Sequence, residues 1–469
     1  MPNDTPLSAA KQKLLQLQKR GTLTAPSQPV TRRRAPGEPV PLSFSQEQVW
    51  RLQQAVGVQS PLYNESITIH RHGVCDVHAI EASLAEIIRR HEIWRTTFEL
   101  VAEEPVQIVR PAPTTFNLPV DDLRVYRLHE REARALSLAT EDARHPFDLS
   151  HGPLLRARLV TVSGAEHRLY LTAHQIVIDG ITVFDVFPSE LTALYESFAA
   201  GKPSPLPDLP AQFADFACVQ RARFESQGME TQLEYWRAQL GGGSAPLRWP
   251  NLDARPAQQT YRGAIHPFRL SKELTASIKE LSKQEGVTLF MTLLGGLVML
   301  LHGYTGQTDI TVGTLSPSGR KYAEFQRLVG YFLNPVPLRA NLAGNPSCRS
   351  LLRQMRGVTL GALSNDDVTL EHIADRLGLP SGPGCHAFFT VAFSLAPDLP
   401  QLPPGWSMTY MDVESGAARW DLYIEMSDRP EGIIGRAQYN PELFTSAAIA
   451  QTVQDFEIRL KELVASLSS

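Results

Sequence analysis

Residues 154–174, LLRARLVTVSGAEHRLYLTAH, limit what this chain can fold into more than any other stretch. Two runs rich in β-branched and aromatic residues flank Ser163-Gly164, a turn-forming pair, so the segment reads as an antiparallel hairpin. An isolated hairpin is marginal in water, and one this apolar requires a larger sheet and helices to cover it. The second run ends in a polar pair, His174-Gln175. Asp179-Gly180 lies just beyond, followed by a helix-like stretch. An imidazole, a carboxamide and a carboxylate therefore gather where a strand ends and the backbone has to turn.

The chain on either side supplies that cover. VHAIEASLAEIIRRH (77–91) places Val77, Ile80, Leu84, Ile87 and His91 at helical spacing behind Asp76, an N-cap candidate. Helices are also read over 213–240, closed by Gly241-Gly242-Gly243, and over 272–285, stopped by Gly286. RGAIHPFRL (262–270) and TDITVGTL (308–315) read as strands. VTLFMTLLGGLVMLL (287–301) is apolar throughout but shorter than the roughly 20 residues that cross a bilayer. With Thr288 as its N-cap, it reads as a buried helix. At 469 residues the chain exceeds one simple core, and two units of roughly 200 residues are expected. The reading is mixed α/β: an amphipathic helix (8–20) and a Pro-rich tether within 1–40, one lobe over 41–215 and a second over 216–469. The tether runs from Gly21 to Pro41.

Composition excludes several classes. A formal charge of −4 provides no basic surface for nucleic acid or an anionic membrane. The first residues lack the apolar block of a secretory signal. The four cysteines are far apart with no CxxC, which suggests neither zinc site nor disulfide framework and fits the reducing cytoplasm. His78, His91 and His129 have no metal-ligand spacing around them, so no metal is expected. Neither a phosphate-binding loop ahead of Lys-Ser/Thr nor a GxSxG elbow is present, which argues against nucleotide-dependent adenylation and α/β-hydrolase chemistry.

Several segments in order resemble the condensation domain of non-ribosomal peptide synthetases. PLSFSQEQVWRLQQ (41–54) is similar to that family's opening Ser-x-Ala-Gln-x-Arg-Leu-Trp, with Ser45, Gln48 and Val49 in place of Ala, Arg and Leu. RRHEIWRTTF (89–98), HPFDLSHGPLLRARL (145–159), YTGQTDITVGTLSPSGR (304–320), VGYFLNPVPLR (329–339), ARWDLYIEM (418–426) and YNPELF (439–444) resemble its later motifs. The resemblance implies two lobes like chloramphenicol acetyltransferase, set in a V as a pseudo-dimer, with a tunnel along the cleft and a floor loop and latch in the second lobe. It implies donor and acceptor peptidyl carrier proteins as partners, beside an adenylation domain of the same synthetase. Substrates would arrive on phosphopantetheine arms, with no tightly bound cofactor.

The family motif is His-His-x-x-x-Asp-Gly. His174 matches its first His, Gln175 its second, Asp179 its Asp and Gly180 its Gly. An imidazole holds a proton near neutral pH, whereas a carboxamide offers donors and an acceptor but no basic site. Gln175 can therefore position a substrate without serving as general base. His174 is read as a structural residue or the surviving base. Asp179 is read as the buried partner of Arg320 or, failing that, Arg95, with direct proton transfer as the rival role. Gly180 would let the pantetheine arm approach the backbone. Asn334, Tyr331, Ser316 and Ser318 are candidate polar handles on the substrate. Three reactions stay open: amide condensation, a Pictet–Spengler-type closure of an aromatic amine on an aldehyde, towards which the amide leans the reading, and a non-catalytic platform that recruits a tailoring enzyme.

Overall fold

A computed structural model describes residues 35, 37–227, 229–243, 247–249, 260–380 and 388–467. The helix expected over 8–20 and most of the tether lie outside these. The tether's expected end is revised: Pro39–Pro41 is a short strand pairing with Glu104–Val109. It is the edge of a three-stranded sheet that also holds Thr96–Val101, and an edge is where a strand tolerates proline's missing N–H.

Two larger sheets carry the fold. The first has five strands in the order Trp406–Tyr410, Asn64–His72, Glu166–His174, Leu155–Ser163 and Val120–Asp122. Its centre is the hairpin read from sequence, antiparallel with Leu155 opposite Ala173. The second has six strands in the order Asn334–Asn341, Asp309–Ser316, Val391–Ala396, Leu422–Ser427, Ile434–Tyr439 and Ala264–Arg269. Helices pack on each sheet. Val77–Arg90 begins where the Asp76 side chain accepts from the Ala79 N–H, and its Ile80, Leu84 and Ile87 are fully buried. The apolar run forms the helix Leu289–Thr305, capped by Thr288 and buried along most of its length. Two glycines let its neighbours close on it. A Cβ on Gly296 would lie 2.5 Å from the Leu460 side chain, and one on Gly295 would lie 3.2 Å from that of Leu352.

The halves are less separate than a cut at 215/216 implies. That boundary falls inside the helix Phe213–Gln227, whose Phe213 and Phe216 rings pack on Phe332 at 4.8 Å each. No change of composition marks the crossing, because the same helix serves both cores. Two segments of the second half also enter the first core: residues 325–332, with Phe325, Leu328, Val329, Tyr331 and Phe332, and the strand Trp406–Tyr410. The two halves are thereby tied together from two directions.

Close approach at this crossing gives a stability test. A Cβ on Gly330 would lie 2.0 Å from the Phe213 ring, whereas one on Gly357, at an exposed helix position, meets nothing within 4 Å. Gly330→Ala is expected to lower the thermal midpoint through overpacking of about 1–3 kcal/mol. Gly357→Ala is expected to leave it unchanged or raise it by the equivalent of about 0.5–1 kcal/mol.

Candidate functional site

The His174–Gly180 turn lies where the hairpin meets the second half. His174 closes its strand through its N–H to the Leu154 carbonyl (3.0 Å), and the Gln175 N–H donates to the Tyr63 carbonyl (2.7 Å). A single 3₁₀ turn, Gln175–Val177, follows. The chain then winds through Thr182–Val186 into the helix Phe187–Ala199, which takes Pro188 in its first turn.

His174 is 1% exposed and is not a wall residue of the cavity described below. Its Nδ1 accepts from the Ile176 N–H (3.2 Å), which leaves the proton on Nε2, facing Gln53 Oε1 at 3.5 Å. Burial, reinforced by the charge of Arg156, pushes the imidazole down to about 3. It is a neutral strut beneath the turn, which removes it as a proton acceptor for anything in the cavity.

Asp179 is tied down at both oxygens. Arg320 grips it in a two-pronged pair (2.6 and 2.8 Å), and Oδ1 also accepts from the Thr182 N–H (2.8 Å) and hydroxyl (3.0 Å). Arg320 continues to the carbonyls of Gln326 (2.8 Å) and Leu328 (3.0 Å) and stacks over Phe332. Every strong acceptor direction of Asp179 is thereby occupied within the protein. Arg95 is not its partner: it sits 3.7 Å from Glu92 in a groove of the first half.

The cavity lies between the halves, with about 1420 Å³ of empty space open to solvent. Gln175, Gly180, Ile181 and Phe184 form one wall, extended by Tyr63, just before the adjoining strand, and by Glu65 and Ile67 on it. The second half faces them with Arg419, Trp420, Glu425 and Arg436. Gly180 has no backbone need to be glycine, since an added Cβ would meet only the Phe184 ring at an ordinary 3.8 Å. Its missing side chain leaves the wall open.

The other polar handles expected from sequence turn away. Asn334 donates to the carbonyls of Asp366 (2.8 Å) and Val368 (2.7 Å), and Ser316 donates to the Asp366 carboxylate. Both therefore support the turn at 366–368. Ser318 is buried beside Phe216, and Tyr331 is 1% exposed, with its phenol near the Arg419 guanidinium. A polar residue in a motif cannot be assigned a face by its neighbours alone where the strand ends and the backbone turns. Sequence reasoning missed Glu65, although a signal existed. In YNESITIH it is the acid on an alternating face whose other members, Tyr63, Ile67 and Ile69, are apolar and buried.

Around Glu65 lies a buried polar cluster. Arg436 Nε donates to Glu425 (2.7 Å), and the Tyr410 hydroxyl donates to the other Glu425 oxygen (2.8 Å). The Glu65 carboxylate stands 3.7 Å from Arg436.

A model of the condensation domain matches residues 38–469. One of the linear gramicidin synthase polypeptides of Brevibacillus parabrevis is 40% identical over 416 residues, which is 87% of this chain but only 5% of that synthase polypeptide. The chain is also similar in structure to the X-domain from teicoplanin biosynthesis (TM-score 0.80, 26% identity, 93% of this chain and 97% of that one). It matches the first condensation domain of the calcium-dependent antibiotic synthetase in fold (TM-score 0.80, 21% identity, 91% and 96%). The fold and the His174–Gly180 turn thus define a condensation-type domain built of two α/β halves. The chain belongs to the condensation-domain family of the non-ribosomal peptide synthetases. Among the described residues no single helix is long and apolar enough to cross a membrane.

Two outcomes test the site's construction. Asp179→Ala strands the Arg320 charge, whose side chain is 6% exposed, and is expected to cost about 3–5 kcal/mol. Asp179→Ala combined with Arg320→Met should cost less than the sum of the two single changes in a double-mutant cycle. His174 should remain uncharged from pH 8 to pH 5, so its imidazole resonances should stay fixed there while those of exposed histidines move.

Proposed function

We propose that the domain joins two carrier-bound substrates by an amide bond, with Gln175 holding the reactants in register. The observation that carries this reading is a solvent-open cavity, walled by both lobes, in which Gln175 replaces the imidazole of the family motif while the Asp179–Arg320 scaffold beside it is complete. The donor acyl group would enter on one phosphopantetheine arm and the acceptor amine on another, each presented by a peptidyl carrier protein. An adenylation domain of the same synthetase would load the acceptor. No tightly bound cofactor is needed for aminolysis of a thioester. Alignment of two reactants contributes roughly 7–11 kcal/mol, against roughly 3–5 kcal/mol for a general base, so losing the imidazole does not disable a site that still aligns.

Ring closure, towards which the amide alone leans, has no supporting relative among the proteins described above. A platform role has one specific point in its favour: the teicoplanin X-domain, similar in structure, is known in complex with OxyB. The polar cavity counts against it, because a surface that only recruits a partner needs no charged groups inside its cleft.

Incubating the protein with acyl- and aminoacyl-loaded carriers and resolving the products by mass tests the reading. Release of the donor thiol with formation of an amide is the expected outcome. Gln175→Ala should slow it about 5- to 100-fold, the loss of one or two positioning hydrogen bonds, with the fold unchanged. Loss of water from an aldehyde–amine pair, without thiol release, would establish ring closure instead. Tight binding of a tailoring enzyme with no product at all would establish the platform.

A further inference from the structure

We infer that Glu65 takes the proton of the attacking amine in this cavity, the task that Gln175 cannot perform. The inference rests on the amide-forming reading and adds a residue to it that lies outside the family motif.

Placement comes first. The strand holding Glu65 is locked to the His-Gln strand end by Tyr63 opposite Gln175, Asn64 opposite His174 and Glu65 opposite Ala173. The ladder ends at Asn64–His174, and the Gln175 N–H bond to the Tyr63 carbonyl carries it one step further, which sets Glu65 and Gln175 close together at the strand end, roughly the 7–8 Å of a diagonal cross-strand pair. Both line the same cavity. Ala173 between them projects no bulk into the gap.

Availability is the second point. The Arg436 guanidinium makes its shorter bonds elsewhere, to Glu425 at 2.7 Å and to the Tyr410 hydroxyl at 3.2 Å. Glu65 is left with its longer contact of 3.7 Å and a side chain one-third exposed (33%), facing the cavity space. Asp179, the other carboxylate on that side, is wholly engaged by Arg320. Glu65 is thus the carboxylate next to Gln175 that is free to meet a substrate.

The electrostatics agree. The groups facing Glu65 are Arg436 and Glu425 from the second-lobe sheet, with the phenols of Tyr410, Tyr423 and Tyr331 around them. Two carboxylates share one guanidinium. Although a third of the side chain meets cavity solvent, the protein enclosing the carboxylate pushes Glu65 up to about 7, with Arg436 opposing and Glu425 reinforcing the shift. A base whose affinity for protons lies near the working pH is the kind that transfers them most effectively.

The step balances without a further reactant. The amine nitrogen adds to the thioester carbonyl carbon, and as the C–N bond forms its N–H proton passes to the Glu65 carboxylate. The C–S bond breaks, the sulfur leaves as thiolate, and Glu65 returns the proton to it. The products are an amide and the pantetheine thiol, with Glu65 again ionised.

The test has two arms. In the first, the protein labelled with carboxyl-¹³C glutamate is titrated with and without glycine methyl ester as an α-amine probe, and the Glu65 resonance is assigned from its absence in Glu65→Gln. A resonance titrating near 7 that shifts with the probe is expected. One in the ordinary carboxylate range, or blind to the probe, overturns the inference whatever the catalysis. In the second arm, carriers bearing each of the twenty amino acids are offered with an acyl-loaded donor carrier. Glu65→Gln is expected to slow amide formation about 10²- to 10⁴-fold and to remove the rise in rate through pH 7. Glu65→Asp should restore part of both, and formate should partly rescue Glu65→Ala. Equal amide from wild type and Glu65→Gln would refute the base while leaving the amide reading intact. No amide from wild type with any acceptor would refute both.

Discussion

The buried pair between Asp179 and Arg320 is the constraint on which the site depends. It joins the turn after the first-lobe hairpin to the second lobe across the cleft, and both ions are nearly sealed from water. Two such charges are costly to bury, and their attraction compensates only when the geometry is good and the remaining donors are satisfied. Here they are. Arg320 donates from Nη1 to carbonyls of the segment 325–332 and from Nε and Nη2 to Asp179, whose Oδ1 also accepts from Thr182. One guanidinium thereby fixes both the turn that carries Gln175 and the segment whose Phe332 and Tyr331 enter the first core.

That arrangement determines which polar groups remain available. Asp179 and His174 carry the most suggestive chemistry in the motif, yet both are consumed in holding the turn. The groups left facing the cavity come from other elements: Glu65 from the strand beside the turn, and Arg419, Glu425 and Arg436 from the far lobe. The ionisable groups also pull stability in opposite directions with pH. His174 is held neutral, its value lowered from about 6.5 to about 3, so its contribution is intact above 6.5 and is lost as pH falls through that window. Glu65 and Asp366 are raised, to about 7 and about 6, so their contributions are intact in acid and are lost as pH rises towards those values. Between about pH 4.5 and 6 the two carboxylates outweigh the one imidazole, so these three groups together weaken the fold as pH rises.

Local patterning accounts for what could be read early. The hairpin at 155–174, the helices at 77–90, 272–284 and 289–305, and the strand at 309–316 all follow from short-range rules of alternation, helical spacing and capping. The Asp179–Arg320 pairing was within reach because the two residues sit in separate motifs of one family. What residue order does not carry is side-chain direction. Asn334, Ser316 and Ser318 are polar residues in motif segments, but their side chains turn towards 366–368 or into a packed helix contact instead of the cleft. The expected boundary at 215/216 falls within the helix Phe213–Gln227, whose Phe213 and Phe216 pack on Phe332.

The amino-acid sequence by itself determined the secondary elements, the family, and the chemical fact that a carboxamide stands where the motif has an imidazole, because each depends on residue identity and near neighbours. Tertiary structure alone decided which charges face each other across the cleft. Glu65 and Arg436 are separated by hundreds of residues, and only the packing of two sheets about a shared cavity places one acid more than the guanidinium can neutralise beside Gln175. Desolvation and unequal pairing, which set the proton affinity of that acid, are properties of the enclosure and not of the glutamate.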